Sequence, residues 1–222
     1  MLGAWLLKHR GEKKEMVLTD RDMEIIRLIH RFRFCLGRHI LSLLSFEGTR
    51  SCDRRLRTLV DAGFVKRKKV LYGFPYLYTT THKGRLTIGA NKREDKIRLD
   101  LIPHNIHVLD SVIYCKLKYN LSLKDIQSEK ELHILDGFNT RKHQSDFTFS
   151  LDGKKYAVEL ERTVKSKNRL EKNIRDNYLG YDYQIWIVGD IKAYKVIQKY
   201  AREYSNMELI SLEEVLEYVR SH

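Results

Sequence analysis

Three carboxylates, Asp146, Glu159 and Glu161, fall in a stretch (residues 146–165) whose pattern is that of a β-hairpin. Asp152-Gly153 is the strongest short-range signal for a two-residue type I′ loop. Before it, Phe147, Phe149 and Leu151 alternate with Asp146, Thr148 and Ser150. After it, Tyr156, Val158 and Leu160 alternate with Ala157, Glu159 and Glu161. Strand side chains point to opposite faces in turn, so one face is apolar and the other carries all three acids. The loop also sets a register: Leu151 against Lys154, Phe149 against Tyr156, Phe147 against Val158, and Asp146 against Glu159. Carboxylates directly across a ladder, their Cβ atoms about 4.5–5.5 Å apart, repel each other. Clustered oxygen ligands suit a divalent cation, Mg²⁺ or Mn²⁺. The competing reading is a solvated sheet face whose acids do no chemistry.

The flanking elements would hold this hairpin in an α/β layer. A helix over about 103–119, opened by Pro103, has Ile106, Leu109, Val112, Ile113 and Leu117 on its apolar side. His104 and His107 lie at its start and read as capping or packing residues, since no third ligand is near in sequence. A short helix over 122–133 carries Glu129 and Glu131. Lys165 and Lys167 border a helix over about 166–178. The run QIWIV at 184–188 has the continuous apolar character of a buried central strand. A helix over 194–204, a strand over 207–210 and a helix capped by Ser211 complete the pattern.

The N-terminal part has a different character. The chain holds 222 residues with a formal net charge of +13. Residues 1–90 contain 19 Lys and Arg against 8 Asp and Glu, whereas 91–222 contain 23 against 21. A basic module on a nearly neutral remainder points to a polyanion partner, nucleic acid before an anionic membrane surface. After a tail over 1–16, Thr19 and Asp22 form a capping box for a helix with Ile25, Ile26, Leu28 and Ile29. A short helix fits 38–44 and a third fits 49–62, stopped by Gly63. On that third helix Cys52, Leu56, Leu59 and Val60 share one side, and Arg50, Ser51, Arg54, Arg57 and Thr58 the other. A strand over 64–72 then carries Lys66, Arg67, Lys68 and Lys69, and returns through a Gly-Phe-Pro-Tyr turn to a strand over 77–80.

Several classes of function find no support. The three cysteines are isolated, so neither a zinc site nor a disulfide framework is indicated. There is no phosphate-binding G-x-x-x-x-G-K-[ST] loop, no dinucleotide fingerprint and no nucleophile elbow. The apolar run at 2–7 is too short for a secretory signal, and no stretch could span a bilayer. A cytoplasmic, non-membrane protein is the expectation.

Asp146, the E-x-E of Glu159 and Glu161, and Lys165 before a helix resemble the core of the PD-(D/E)xK nuclease superfamily. Ser145 stands where that superfamily usually has proline, and Glu161 where it usually has lysine. Residues 17–89 resemble a winged helix-turn-helix, closed by the segment 79–84. The order of a basic winged helix (17–89), a linker (90–102) and an acidic hairpin domain (103–222) resembles the replication-relaxation family, which includes MOBC-type plasmid relaxases. The fold expected is thus α+β. The resemblance implies a protein that binds double-stranded DNA at an origin-type site through the third helix and the wing. It would then nick by metal-dependent phosphodiester cleavage. Asp146, Glu159, Glu161 and an accessory Glu129 would hold Mg²⁺ or Mn²⁺, with the amine of Lys165 or Lys167 near the attacking water or the phosphate, and with water or a tyrosine as the nucleophile. Single-stranded DNA and relaxosome or replication proteins are further implied partners. The alternative is a non-catalytic, sequence-specific DNA-binding protein, an accessory factor or repressor with a degenerate nuclease fold.

Overall fold

Helix α1 (Asp20–Arg31) starts at the box read from the sequence: the Asp22 carboxylate accepts from the Thr19 amide at 2.7 Å, and the Thr19 hydroxyl accepts from the Asp22 amide. The computed structural model describes residues 16–70, 72–90, 96–136, 143–163 and 166–222. Strand β1 (Cys35–Leu36), α2 (Gly37–Leu43), α3 (Thr49–Asp61), β2 (Val65–Lys68) and β3 (Leu77–Thr80) follow. The strands form an antiparallel sheet in the order β1-β3-β2. Arg55 of α3 bonds to the buried Asp22 and ties the first helix to the third. Burial alone would raise the Asp22 pKa; the bonds from Arg55 and Thr19 outweigh it and hold the carboxyl below its ordinary value.

Residues 81–84 open the short helix α4 (His82–Thr87). The Thr81 hydroxyl accepts from the Gly84 amide at 3.0 Å and donates to the Gly63 carbonyl at 2.7 Å. Gly84 lies so close to the Phe64 carbonyl that a Cβ would overlap its oxygen. This is why a glycine follows the threonine in that segment.

A 3-10 turn (Leu99–Leu101) leads into α5 (Ile102–Lys118). This helix serves both halves of the molecule. Ile102 and Ile106 pack on Phe34, Leu36 and Leu77 of the N-terminal unit. Val108, Leu109, Val112 and Ile113 join one buried cluster that also holds Ile25, Ile29, Leu56 and Leu59 together with Val158, Leu160 and Ile185. A polar clasp reinforces the junction. The nearly inaccessible Asp110 takes two bonds from the Arg38 guanidinium, at 2.9 and 2.8 Å, and one from His39 Nε2 at 3.1 Å. His39 Nδ1 accepts the Leu36 amide at 3.2 Å, so the ring is neutral with its proton on Nε2.

The rest is a second sheet with helices on both faces: β4 (Ile126–Ser128), α6 (Glu129–Leu135), β5 (Phe147–Leu151), β6 (Lys154–Glu161), α7 (Lys167–Gly180), β7 (Tyr183–Val188), α8 (Ile191–Ala201), β8 (Met207–Ser211) and α9 (Leu212–Ser221). Its order is β4-β5-β6-β7-β8, antiparallel through β6 and parallel from there. Val158, Leu160, Ile185 and Ile187 face α5 and α9. Trp186 and Val188 face Leu170 and Ile174 of α7 and Ala193 and Ile197 of α8. The protein is therefore mixed α and β.

One element differs in kind from the sequence reading. Residues 122–133 are not a continuous helix. Asp125 accepts from the Ser122 amide at 2.8 Å in a tight turn, Ile126 is buried beside Phe149, and Ser128 is the real N-cap, boxed with Glu131. Two serine caps compete in the sequence, and the upstream one closes only a turn. Helix α8 begins three residues earlier than expected, because Asp190 accepts from the amides of Lys192 and Ala193, both at 2.9 Å. No described helix is long and apolar enough to cross a membrane. Cys35, Cys52 and Cys115 are buried and unbridged. Burial pushes the thiols of Cys35 and Cys115 far up, and that of Cys52 to about 11.

Candidate functional site

Asp152 and Gly153 both have positive φ, 50° and 76°, as a type I′ turn requires. The ladder they set is the expected one: Leu151 pairs with Lys154, Phe149 with Tyr156, and Phe147 with Val158. It stops there. Asp146 does not form the next rung against Glu159. Its Oδ2 accepts from the Leu160 amide at 2.7 Å, and its Oδ1 lies 3.0 Å from His104 Nε2. The carboxylate thus substitutes for a ladder carbonyl, and a bond to charge replaces the expected repulsion.

The solvated-face reading of the acids does not hold. Glu159 is 2% and Glu161 3% exposed, on the face of β6 that α7 and α8 cover. Burying a charge is costly unless it is bonded. Glu159 Oε1 meets that need with His143 Nε2 at 2.5 Å and Asn177 Nδ2 at 3.0 Å. Asn177 in turn accepts from the Ser145 hydroxyl at 3.4 Å, so Ser145, in the superfamily's proline position, is a buried prop for the amide that holds Glu159. Both bonds to Glu159 fall on Oε1, and Oε2 takes neither.

Asp146, Glu159, Glu161 and Glu129 all line one cleft of about 820 Å³ between the two units. Glu129 opens α6, bonded to Arg33 of the N-terminal unit at 3.1 Å, and its amide donates to the Asp146 carbonyl at 3.0 Å. Cations surround the acids: Arg33, Lys96, Arg98, Arg162 and Arg169 line the same cleft. Lys165 lies outside the described residues. Lys167 turns to Glu171 at 3.7 Å on the exposed side of α7, and does not line the cleft. Of the cations lining the cleft, Arg162 and Arg169 are the nearest in sequence to Lys165.

The sequence reading missed the histidines. His104 contacts Asp146 and His143 contacts Glu159, so His104 is no mere cap; His143 carried no motif that could have marked it. His107 lies off the cleft, and burial, aided by the charge of Arg162, pushes its pKa below the ordinary histidine value. The donor set is carboxylate oxygen, suited to a hard cation. Among the described residues no three His, Cys, Asp or Glu side chains converge as a ready metal cage. Two carboxylates do fit Mg²⁺ or Mn²⁺, which keeps several waters and uses one or two protein carboxylates beside substrate phosphate.

The basic residues form a second surface. Arg50, Arg54 and Arg57 are exposed along α3, with Ser51 and Thr58 half-buried beside them. Both hydroxyls have local partners: Ser51 donates to the Gly48 carbonyl at 2.7 Å and Thr58 to the Arg54 carbonyl at 3.0 Å. The three arginines are therefore the reaching groups of that helix. Lys66, Arg67, Lys68 and Lys69 are exposed on and just after β2.

Comparison with family models, with curated proteins and with solved structures found no match for this chain.

Proposed function

We propose that the protein binds DNA through its N-terminal unit and cleaves a phosphodiester in the cleft with Mg²⁺ or Mn²⁺, as a nickase of relaxase type acting on plasmid or other mobile DNA. The observation that carries this reading is the meeting of Asp146, Glu159, Glu161 and Glu129 with five cations in one cleft, beside a unit with exposed arginines. Three helices and an antiparallel sheet whose basic hairpin follows the third helix support a winged helix. A mixed five-stranded sheet with helices on both faces and acids on its central hairpin supports a nuclease-like domain.

In this mechanism Asp146 and Glu159 would hold the ion, with Glu129 and Glu161 on the wall of the same cleft. A bound Mg²⁺ or Mn²⁺ would supply a water of lowered pKa and offset charge on the attacked phosphate. Arg162 and Arg169 bind the phosphate and stabilise the charge that develops there. His104 and His143 would steady Asp146 and Glu159, and Asn177 bonds to Glu159 Oε1, so that Oε2 is the oxygen Glu159 would offer to an ion.

Incubating supercoiled plasmid with the protein and Mn²⁺ tests this. Open circles are expected with wild type and none with Glu159→Gln, which keeps a side chain able to bond to Asn177. A paired melt without DNA should show Mn²⁺ raising the wild-type Tm by the usual RT ln(1 + [L]/Kd) and barely moving the variant. No nicking and no metal shift would discard the catalytic reading. The second reading, a DNA-binding protein with a silent site, would then stand. It is favoured by the bonds that already engage Asp146 and Glu159.

A further inference from the structure

The hairpin joining β2 to β3 has a feature that phosphate binding does not use. Four aromatic rings are strongly exposed among the described residues, Tyr72, Phe74, Tyr76 and Tyr178, and three of them fall within residues 72–76. Tyr72 is 97% exposed, Phe74 41% and Tyr76 40%. Gly73, at φ 75°, makes the turn that presents them, and none of the three belongs to a core cluster. Rings of this size bury large areas wherever a fold can use them. Three at one tip leave an aromatic surface that the fold itself does not bury.

Cations stand behind two of them. The Arg67 guanidinium lies 4.2 Å from the centre of the Tyr76 ring, and Lys69 Nζ 5.3 Å from that of Tyr72. Tyr72, almost wholly exposed, keeps its other face in solvent. A ring with a cation on one side and an open face on the other matches a base of a nucleic acid whose phosphate pairs with the same cations. The base of this hairpin adjoins the acidic cleft: Val70 and the cleft residue Ile97 pack on the same small cluster as Leu36 and Leu77.

We infer that the tip formed by Tyr72, Phe74 and Tyr76 is a base-stacking element, which takes unpaired or unstacked bases of DNA held by α3 and β2. The inference rests on the DNA-binding reading above and adds to it the state of the DNA recognised: a locally opened duplex rather than a fully paired one. Stacking is sequence-tolerant because every base has a π face, and apolar or aromatic wedges lower the cost of parting a base step.

The test uses the whole protein in chelator, at low salt, with two probes. One is a fully paired duplex; the other is the same duplex with a central bubble of unpaired bases that includes 2-aminopurine. Wild type should prefer the bubble by about five- to hundredfold and quench the 2-aminopurine, the range expected for stacking one base on one ring. The double variant Tyr72→Ala/Phe74→Ala should lose the preference and the quench while binding the paired duplex as before. Tyr72→Trp/Phe74→Trp should keep both. An undiminished preference in the alanine variant, no preference in wild type, or an equal loss on both probes overturns the stacking role. Failure of wild type to bind either DNA would instead overturn the DNA-binding reading, and this inference with it.

Discussion

Asp146 shows how much a single residue's surroundings change its meaning. Read from the register alone it faces Glu159, and removing its charge should relieve repulsion. In the structure it accepts from the Leu160 amide and from His104. Its removal therefore leaves a backbone donor unmet. Asp146→Ala is expected to lower stability by about 1–3 kcal/mol, the cost of orphaning such a group. Asp146→Asn, which still offers an oxygen to Leu160, should lose less. Urea titration of the two variants without metal checks the order, and equal stability of Asp146→Ala and wild type would refute it. The register was legible because an Asp-Gly loop admits few geometries. The partners of the acids were not, because His143 and Asn177 meet Glu159 only through folding.

At the scale of elements, most spans follow from caps and periodicity, and the exceptions have local causes. Ser122 and Ser128 both precede acids at cap spacing. Only burial of Ile126 as an edge-strand residue decides between them, and burial is not visible in sequence. The segment 81–84 was legible as a closing motif, while the reason for its glycine was not. Gly84→Ala drives a methyl into the Phe64 carbonyl, which is backbone and cannot rotate away. Helix α4 must shift, at an expected cost of about 1–3 kcal/mol for such overpacking, and a thermal melt should show the Tm falling. Gly180→Ala, where nothing lies within 4 Å, is the control and should melt like wild type or slightly higher.

For the molecule as a whole, the sequence suggested two modules and a linker. The charge contrast that marks the modules is real in composition, but α5 packs on both, so the units share a core. At their junction, burial pushes the His39 pKa below the ordinary 6.5, against the opposing pull of Asp110. The sign follows. Folded His39 stays neutral while the unfolded chain takes a proton below about pH 6.5, so the stability is full above that pH and is lost as pH falls. His107, with the same direction, adds to the loss. The urea midpoint should therefore drop between pH 7 and 5, with Asp110 and Arg38 as the charges facing His39. His39→Gln should be less stable at pH 7 but show a shallower drop. An equal slope in both proteins would remove His39 from the account.

The parallel pairing of β6 with β7 sets Glu159 level with Trp186, whose indole is wholly buried and donates to Gln184 at 2.8 Å. The chain has only one other tryptophan, Trp5. With Trp5→Phe in the background, tryptophan emission would come from a single indole one strand away from the candidate catalytic acid. The molecule thus contains its own optical probe: blue-shifted while the sheet is intact, it reports events at Glu159 without an added label.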